Sequence, residues 1–458
     1  MKKWLFIPFT FALLLVTSCT PAPTPTVMAQ LSPTPAALVT VTPIPTSATA
    51  TLMPVPTNTL VPPTVAPLPT ITPTPLPTPP GQIFFAWHSD DGKSNILYRA
   101  MPANSADDWQ IIPVIEDVVP SRMRLSPDQS KLAFMLRHDT NGDGELTTSG
   151  YEADLYDIFI YDLLQNEIWQ LPNTRQHVSP VWVSDNQSIV SMSNDNEIVN
   201  TFLDGRVSET FLSLPHHGGS LSISPDGKLL LFAMRHDDSN RDKLYAYDRD
   251  TGETTILQDS VGGTFSASTW NSTGEWWAYG DGLVGNVFVL NRETLEFIPL
   301  TPDSWGARID WSLDGNKLAF TKDRKALHLW YPDTLSSDEI LTAEVIHAFF
   351  WSPQADMLAV LVTQNEEQKI IIFDPNSGET HVLLTAMPEQ DLFLHDWSSA
   401  GEWLAISLQE YSERPEVIYS DIHVLHVKSG TLHLVKDSIG GLPRFLRWVP
   451  TPSYHDQE

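Results

Sequence analysis

One ten-residue phrase, Trp311-Ser-Leu-Asp-Gly-Asn-Lys-Leu-Ala-Phe320, recurs with drift down most of this chain. Ser126-Pro-Asp-Gln-Ser-Lys-Leu-Ala-Phe134, Ser224-Pro-Asp-Gly-Lys-Leu-Leu-Leu-Phe232, Trp351-Ser-Pro-Gln-Ala-Asp-Met-Leu-Ala-Val360 and Trp397-Ser-Ser-Ala-Gly-Glu-Trp-Leu-Ala-Ile406 are copies. Trp270 to Tyr279 and Trp182 to Val190 hold looser ones. The phrase reads as a strand ending in a bulky residue, a tight turn with Pro at its second position and Gly at its fourth, and an apolar strand. A third strand follows, as in Asp157-Ile-Phe-Ile-Tyr-Asp162, Lys243-Leu-Tyr-Ala-Tyr-Asp248 and Lys369-Ile-Ile-Ile-Phe-Asp374. After another turn comes a fourth, such as Thr380-His-Val-Leu-Leu384. Alternation and turn chemistry together predict antiparallel meanders.

The bulky residues before the turns are Leu125, Trp182, Ile223, Trp270, Trp311, Trp351, Trp397 and Trp448, at gaps of 57, 41, 47, 41, 40, 46 and 51. Four strands per unit and a period in the forties mark a β-propeller. One four-stranded sheet cannot bury both its faces, and neighbours in a ring can do it for each other. Seven intervals are complete. The eighth motif, Phe445-Leu-Arg-Trp448, leaves no room for three more strands, while Gln82–Trp87, Asn95–Tyr98 and Trp109–Pro113 are strands lacking an inner member. Joining the two ends gives an all-β propeller of four-stranded blades, eight in number, whose N- and C-terminal strands share a blade. Seven is the rival count, if the Trp182 repeat is not a full blade.

The phrase resembles the repeat of TolB-like, WD-repeat-related propellers, over essentially all of residues 81–450. The resemblance implies the fold and is silent on activity. TolB itself carries a further N-terminal domain; this chain has a proline-rich segment there, so a role in the Tol–Pal system does not carry over.

That segment, residues 19–80, separates the head from an N-terminal leader, residues 1–18. Lys2 and Lys3, the apolar run Leu5 to Val16 and the small residues before Cys19 read as a secretion signal. The stretch resembles a bacterial lipobox. The resemblance implies cleavage before Cys19, lipidation of that residue, and an extracytoplasmic, membrane-anchored protein at the cell surface or on the periplasmic face. The bland alternative is an ordinary signal peptide with a chance cysteine. Cys19 is the single cysteine, so disulfides within the chain are excluded. Thr20 to Pro80 has recurrent proline and no charged residue. Such a segment is expected to be extended or disordered, with a reach on the order of 190 Å at ~3.1 Å per residue. Residues 451–458 read as a tail.

The formal charge is −29, from 27 Lys and Arg against 56 Asp and Glu. Nearly all of it falls on the head. An acidic surface repels phosphate backbones, which argues against nucleic acid and for cations or a basic protein face.

The sharpest motif is Asp139-Thr-Asn-Gly-Asp-Gly-Glu145. Asp139, Asn141 and Asp143 match the alternate oxygens of a calcium loop, and Gly144 its turn. Glu145 offers a backbone carbonyl, and Glu152 or Asp154 the carboxylate missing at position twelve, which is Gly150. An acidic turn without an ion is the alternative to Ca2+. Arg235 to Asp242 echoes the loop but lacks its Gly. Gly280-Asp-Gly-Leu-Val-Gly285 spells a dinucleotide loop, yet a strand follows it, so it reads as a hairpin. His216-His217 reads as a surface loop.

The residues just before the bulky positions, Arg124, Val181, Ser222, Thr269, Asp310, Phe350, Asp396 and Arg447, are expected near a central channel. Arg124, Asp310, Asp396 and Arg447 could bind a small polar ligand there, or pair with one another. No nucleophile elbow, His-Glu-x-x-His, phosphate loop or paired-cysteine motif is present. The expectation is a binding or scaffold module with a monomeric head, taking an envelope protein or glycan. The alternative is a propeller enzyme, a hydrolase or lyase acting on a polysaccharide or peptide.

Overall fold

A computed structural model describes residues 78–88, 95–115, 119–137, 156–216, 218–235, 242–261, 265–281, 285–301, 308–411, 418–440 and 443–450. All lie in one compact unit, Pro73–Glu458. Among them are thirty-two strands and no helix. Blade 1 holds β1 (Gln82–His88), β2 (Asn95–Pro102) and β3 (Trp109–Ile115). Blade 2 holds β4 (Val119–Leu125), β5 (Lys131–Arg137), β6 (Tyr156–Asp162) and β7 (Glu167–Gln170). Blade 3 is β8 (Val178–Trp182), β9 (Ser188–Met192), β10 (Glu197–Phe202) and β11 (Glu209–Ser213). Blade 4 is β12 (Gly218–Ile223), β13 (Leu229–Arg235), β14 (Asp242–Asp248) and β15 (Thr254–Val261). Blade 5 is β16 (Phe265–Trp270), β17 (Trp276–Asp281), β18 (Val287–Asn291) and β19 (Phe297–Pro299). Blade 6 is β20 (Ile309–Trp311), β21 (Leu318–Lys322), β22 (Ala326–Tyr331) and β23 (Ser336–Thr342). Blade 7 is β24 (Val345–Trp351), β25 (Leu358–Gln364), β26 (Glu367–Phe373) and β27 (Thr380–Thr385). Blade 8 is β28 (Gln390–Trp397), β29 (Trp403–Tyr411), β30 (Ile418–His426) and β31 (Leu432–Gly440). The last strand, β32 (Arg444–Val449), pairs with β1 and completes blade 1, with Ile83 opposite Trp448.

Eight four-stranded antiparallel sheets result, and the Trp182 repeat is a full blade. The inner strands β4, β8, β12, β16, β20, β24, β28 and β32 touch in that order, and β32 returns to β4. The ring therefore closes through a blade shared by the two ends of the head. Eight blades stand, and the seven-bladed alternative falls.

The phrase works through its serine. Ser126, Ser224 and Ser312 each donate to the Asp two residues on, at 2.6 Å. Each also accepts the N–H five residues on, at 2.9 to 3.0 Å. Asn271 and Ser398 accept the same N–H in their own copies. The hydroxyl thus closes the turn from within, satisfying backbone that the strands leave open. The fourth turn residue lies in the left-handed region. Gly315 has φ +73°, and a Cβ there would sit 2.6 Å from Ser272 Oγ of the preceding blade's turn. Gln129 and Asn186 hold the same position with φ near +60°.

The Leu-Ala-Phe strand is buried on both faces because a blade lies against each. β17 is buried along its whole length, as is β9. The outermost strands are exposed, β23 for most of its length. Core clusters cross from blade to blade. Leu229, Leu231 and Leu244 of blade 4 pack on Trp277, Tyr279 and Leu290 of blade 5. At the seam, Ile83, Phe85 and Trp448 pack on Trp403, Ile422 and Val424.

Candidate functional site

The bulky residues do more than fill space. Trp182 Nε1 donates to Arg124 O at 2.9 Å, Trp311 Nε1 to Thr269 O at 3.2 Å, Trp351 Nε1 to Asp310 O at 3.1 Å, and Trp397 Nε1 to Phe350 O at 3.0 Å. Each indole thereby ties its blade to the residue before the bulky position of the preceding blade. Trp270 Nε1 reaches Ser222 Oγ instead, at 3.2 Å. Trp448, at the seam, donates to Pro80 O at 2.6 Å.

Two of those pre-turn residues are acidic, and both act as staples. Asp310 Oδ2 accepts the Trp351 N–H of the next blade at 3.0 Å. Asp396 Oδ2 accepts the Trp448 N–H at 3.0 Å, and Asp396 Oδ1 its own neighbour Trp397 N–H at 3.0 Å. Arg447 Nη1 lies 3.5 Å from Asp396 Oδ2, a long contact. Among the described residues, the Arg124 side chain makes one hydrogen bond, from Nη1 to Met123 O at 3.3 Å.

Arg124, Asp310, Phe350, Asp396 and Arg447 come together in one cavity of about 650 Å³ at the end of the channel where the turns between first and second strands lie. Leu313, Pro353, Gln354 and Ser399 from those turns complete it, with Met123 and the rings of Trp351, Trp397 and Trp448. Around the ring the order is Asp310, Phe350, Asp396, Arg447, Arg124, so acid and base occupy adjacent arcs. Val181, Ser222 and Thr269, expected at the channel with the others, do not line it. The turn residues were missed in the sequence because their reach into the cavity depends on how blades fan around the axis.

The cavity is recessed, and its charges feel it. Burial pushes the Asp310 carboxyl up to about 7, against the opposing pull of the Trp351 N–H and Arg447 and with the help of Asp396. Burial also raises Asp396, opposed by Arg447 and the N–H groups of Trp448 and Trp397. Burial, then the neighbouring Arg447 and Arg122, lower Arg124. A carboxyl that holds its proton more tightly folded than unfolded favours the fold at low pH. For Asp310 that advantage is complete below its ordinary value of 3.8 and is lost as pH rises through about 7. Asn keeps the acceptor for Trp351 and carries no charge. Asp310→Asn is therefore expected to melt about 2–4 °C higher than the parent at pH 8 and no higher at pH 4. A uniform loss at both pH values, read by calorimetry, would refute this account of Asp310.

The remaining sequence candidates fall elsewhere. Asp139, Asn141, Asp143, Glu145, Glu152 and Asp154 lie outside the described residues, in the stretch between β5 and β6, as do Cys19, His217 and most of the Arg235 echo. Among the described residues, no group of three or more His, Cys, Asp or Glu is placed to hold a metal ion. No described helix is long and apolar enough to cross a membrane. The Gly280 stretch joins β17 to β18 as a hairpin, closed by Gly285 N–H on Asp281 O at 2.8 Å.

No protein-family model matches the chain, and no curated protein does. Among solved structures, the dihydro-heme d1 dehydrogenase NirN is similar at 10% identity over 84% of this chain and 78% of that one, with a TM-score of 0.53. Dipeptidyl peptidase 4 from Porphyromonas gingivalis is similar at 11% identity over 77% of this chain, with a TM-score of 0.52. The chain spans 59% of that peptidase. TolB from Acinetobacter baumannii is also a structural neighbour, at 14% identity over 65% of this chain and 79% of that one, with a TM-score of 0.34. At such identities the likeness is one of fold alone. The chain is an eight-bladed β-propeller.

Proposed function

We propose that this propeller is a lipid-anchored, extracytoplasmic binding or scaffold module for an envelope protein or glycan, and that the channel-mouth cavity takes a polar group of that partner. One observation carries the reading. Arg124 and Arg447, on neighbouring inner strands, share one recessed cavity with Asp310 and Asp396, and both carboxylates are already engaged by backbone N–H groups. Two guanidiniums in one cavity suit a carboxylate or another oxyanion on a glycan or peptide, with indoles beside it for a sugar ring or side chain. The staple role of Asp310 and Asp396 favours binding over catalysis, since neither carboxylate is free of the scaffold.

The full chain in detergent, applied to arrayed envelope glycans and peptides, is expected to select acidic ligands. Arg124→Gln with Arg447→Gln should weaken that selection at least about tenfold. Unchanged selectivity in the double variant sinks the assignment of the cavity. The enzyme reading has one specific support, the Asp310 carboxyl near 7, poised to hold or release a proton at neutral pH. Turnover of a bound polysaccharide or peptide that Asp310→Asn abolishes, with binding retained, would establish it.

The anchor rests on Cys19 and the leader before it. Two or more acyl chains give firm attachment. Cys19→Ala is expected to move most of the protein from the membrane to the soluble fraction and to abolish incorporation of a labelled fatty acid. Retention of label in that variant refutes lipidation at this residue.

A further inference from the structure

A second cluster of cationic side chains lies at the end of blades 6 and 7 away from the cavity. Arg308 precedes β20. Its carbonyl accepts the Thr321 N–H at 3.0 Å, and its own N–H donates to Thr321 Oγ1 at 3.0 Å. Three residues past Thr321, Arg324 forms the tip of the β21–β22 hairpin. Lys325 N–H closes that turn on Lys322 O at 3.0 Å, with Asp323 and Arg324 both in the left-handed region. The Arg324 carbonyl in turn accepts the Ile346 N–H of blade 7 at 2.6 Å, which sets His347 beside it. His347 Nε2 is bonded to Thr363 Oγ1 at 2.7 Å.

Backbone bonds thus hold Arg308, Arg324 and His347 together, and their charges feel one another. Burial and then Arg324 lower Arg308; burial, then Arg324, lower His347, with Asp391 opposing them and Arg308 acting the same way as Arg324. In a chain of net charge −29 such a cluster should have been neutralised from within. It has not been. Among the described residues neither guanidinium meets a carboxylate, and Arg324 Nε is buried without an acceptor. Of the acids nearby, Asp391 acts on His347 across space, and both it and Glu344 also hold other groups. Asp391 Oδ1 accepts from Gln368 Nε2 at 3.1 Å, and Glu344 accepts the N–H groups of Asn365 and Glu366 at 3.0 and 3.3 Å.

We infer that Arg308, Arg324 and His347 form a second binding site, for an oxyanion, a phosphate or carboxylate group carried by a partner. Two guanidiniums close enough to act on one another and an unsatisfied buried N–H match such a group, and its charge would relieve the repulsion between them. The site is independent of the channel-mouth cavity.

The test uses the full chain in detergent, with 13C-labelled histidine as a local reporter and inorganic phosphate and D-glucuronate as separate probes at matched ionic strength. A saturable shift of the His347 ring resonances is expected with at least one of them. Phosphate alone identifies a phosphoryl group as the natural ligand; glucuronate alone identifies a carboxylate. Arg308→Gln and Arg324→Gln are each expected to weaken the response at least tenfold, with Arg324→Lys intermediate. Because each Gln variant removes one of two mutually repelling charges, its anion-free Tm should not fall, which separates lost binding from lost fold. No saturable His347 shift with either probe, or a shift unchanged in both Gln variants, overturns the inference.

Discussion

Deleting the chain from residue 443 onward is expected to abolish the folded head, not to trim it. The deletion removes β32, the inner strand of blade 1. Leu446, Trp448 and Val449 are each 5% exposed or less. At ~1.5–3 kcal/mol for burying each such side chain, their loss costs about 5–9 kcal/mol. That is comparable to the whole stability of a typical domain, ~5–15 kcal/mol. The deletion also bares the β1 edge and the seam packing of Ile83 and Phe85. It frees Asp396 from the Trp448 N–H and removes the indole bond to Pro80 O. Calorimetry should show no cooperative transition above room temperature, and limited proteolysis should degrade every blade. A truncated chain with a sharp melt near that of the parent would show that the ring does not depend on its seam.

Trp277→Ala is expected to cost about 3–5 kcal/mol, the range for large aromatic truncations in a packed core. Trp277 is fully buried in β17. It stacks on Tyr279 at 4.8 Å and lies 6.5 Å from Trp270. Its other side meets Leu229, Leu231 and Leu244 of blade 4. The side chain is therefore a wedge between two blades, and removing it leaves a void that neither sheet can fill without shifting its neighbour. The expected fall in Tm is about 5–10 °C. Trp277→Phe should lose less than half as much. Equal losses for Ala and Phe would place the effect in something other than filled volume.

Much of this architecture was legible because each copy of the phrase carries its own local chemistry. Ser, Asp and Gly close a turn wherever they occur, and a Leu-Ala-Phe run between turns must be buried on both sides. The seam was legible by subtraction, since Gln82–Trp87 lacked an inner partner and Trp448 lacked outer ones. Four charged channel residues could be placed by counting back one position from each bulky residue before a turn, three of them indoles and one Leu125. What Asp310 and Asp396 do there could not be read in that way. Their stapling of the next blade's N–H needs the rotation between blades, which no single repeat encodes. Trp448 breaks the indole pattern and bonds to Pro80 O, because at the seam its own blade is built from both ends of the head. Arg308, Arg324 and His347 left no signal at all. They come from three places in two blades, and hydrogen bonds within blade 6 and from it to blade 7 bring them together.

The pairing of Ile83 with Trp448 also sets a timetable. A ribosome extends the chain one residue at a time, and the partner of β1 emerges only after every other blade has been made. Until then the circle has a gap, and contacts this remote in sequence form slowly. Under the export proposed above, the delay would be an advantage, since the translocation machinery would receive the chain threadable, with the final lock supplied on the far side.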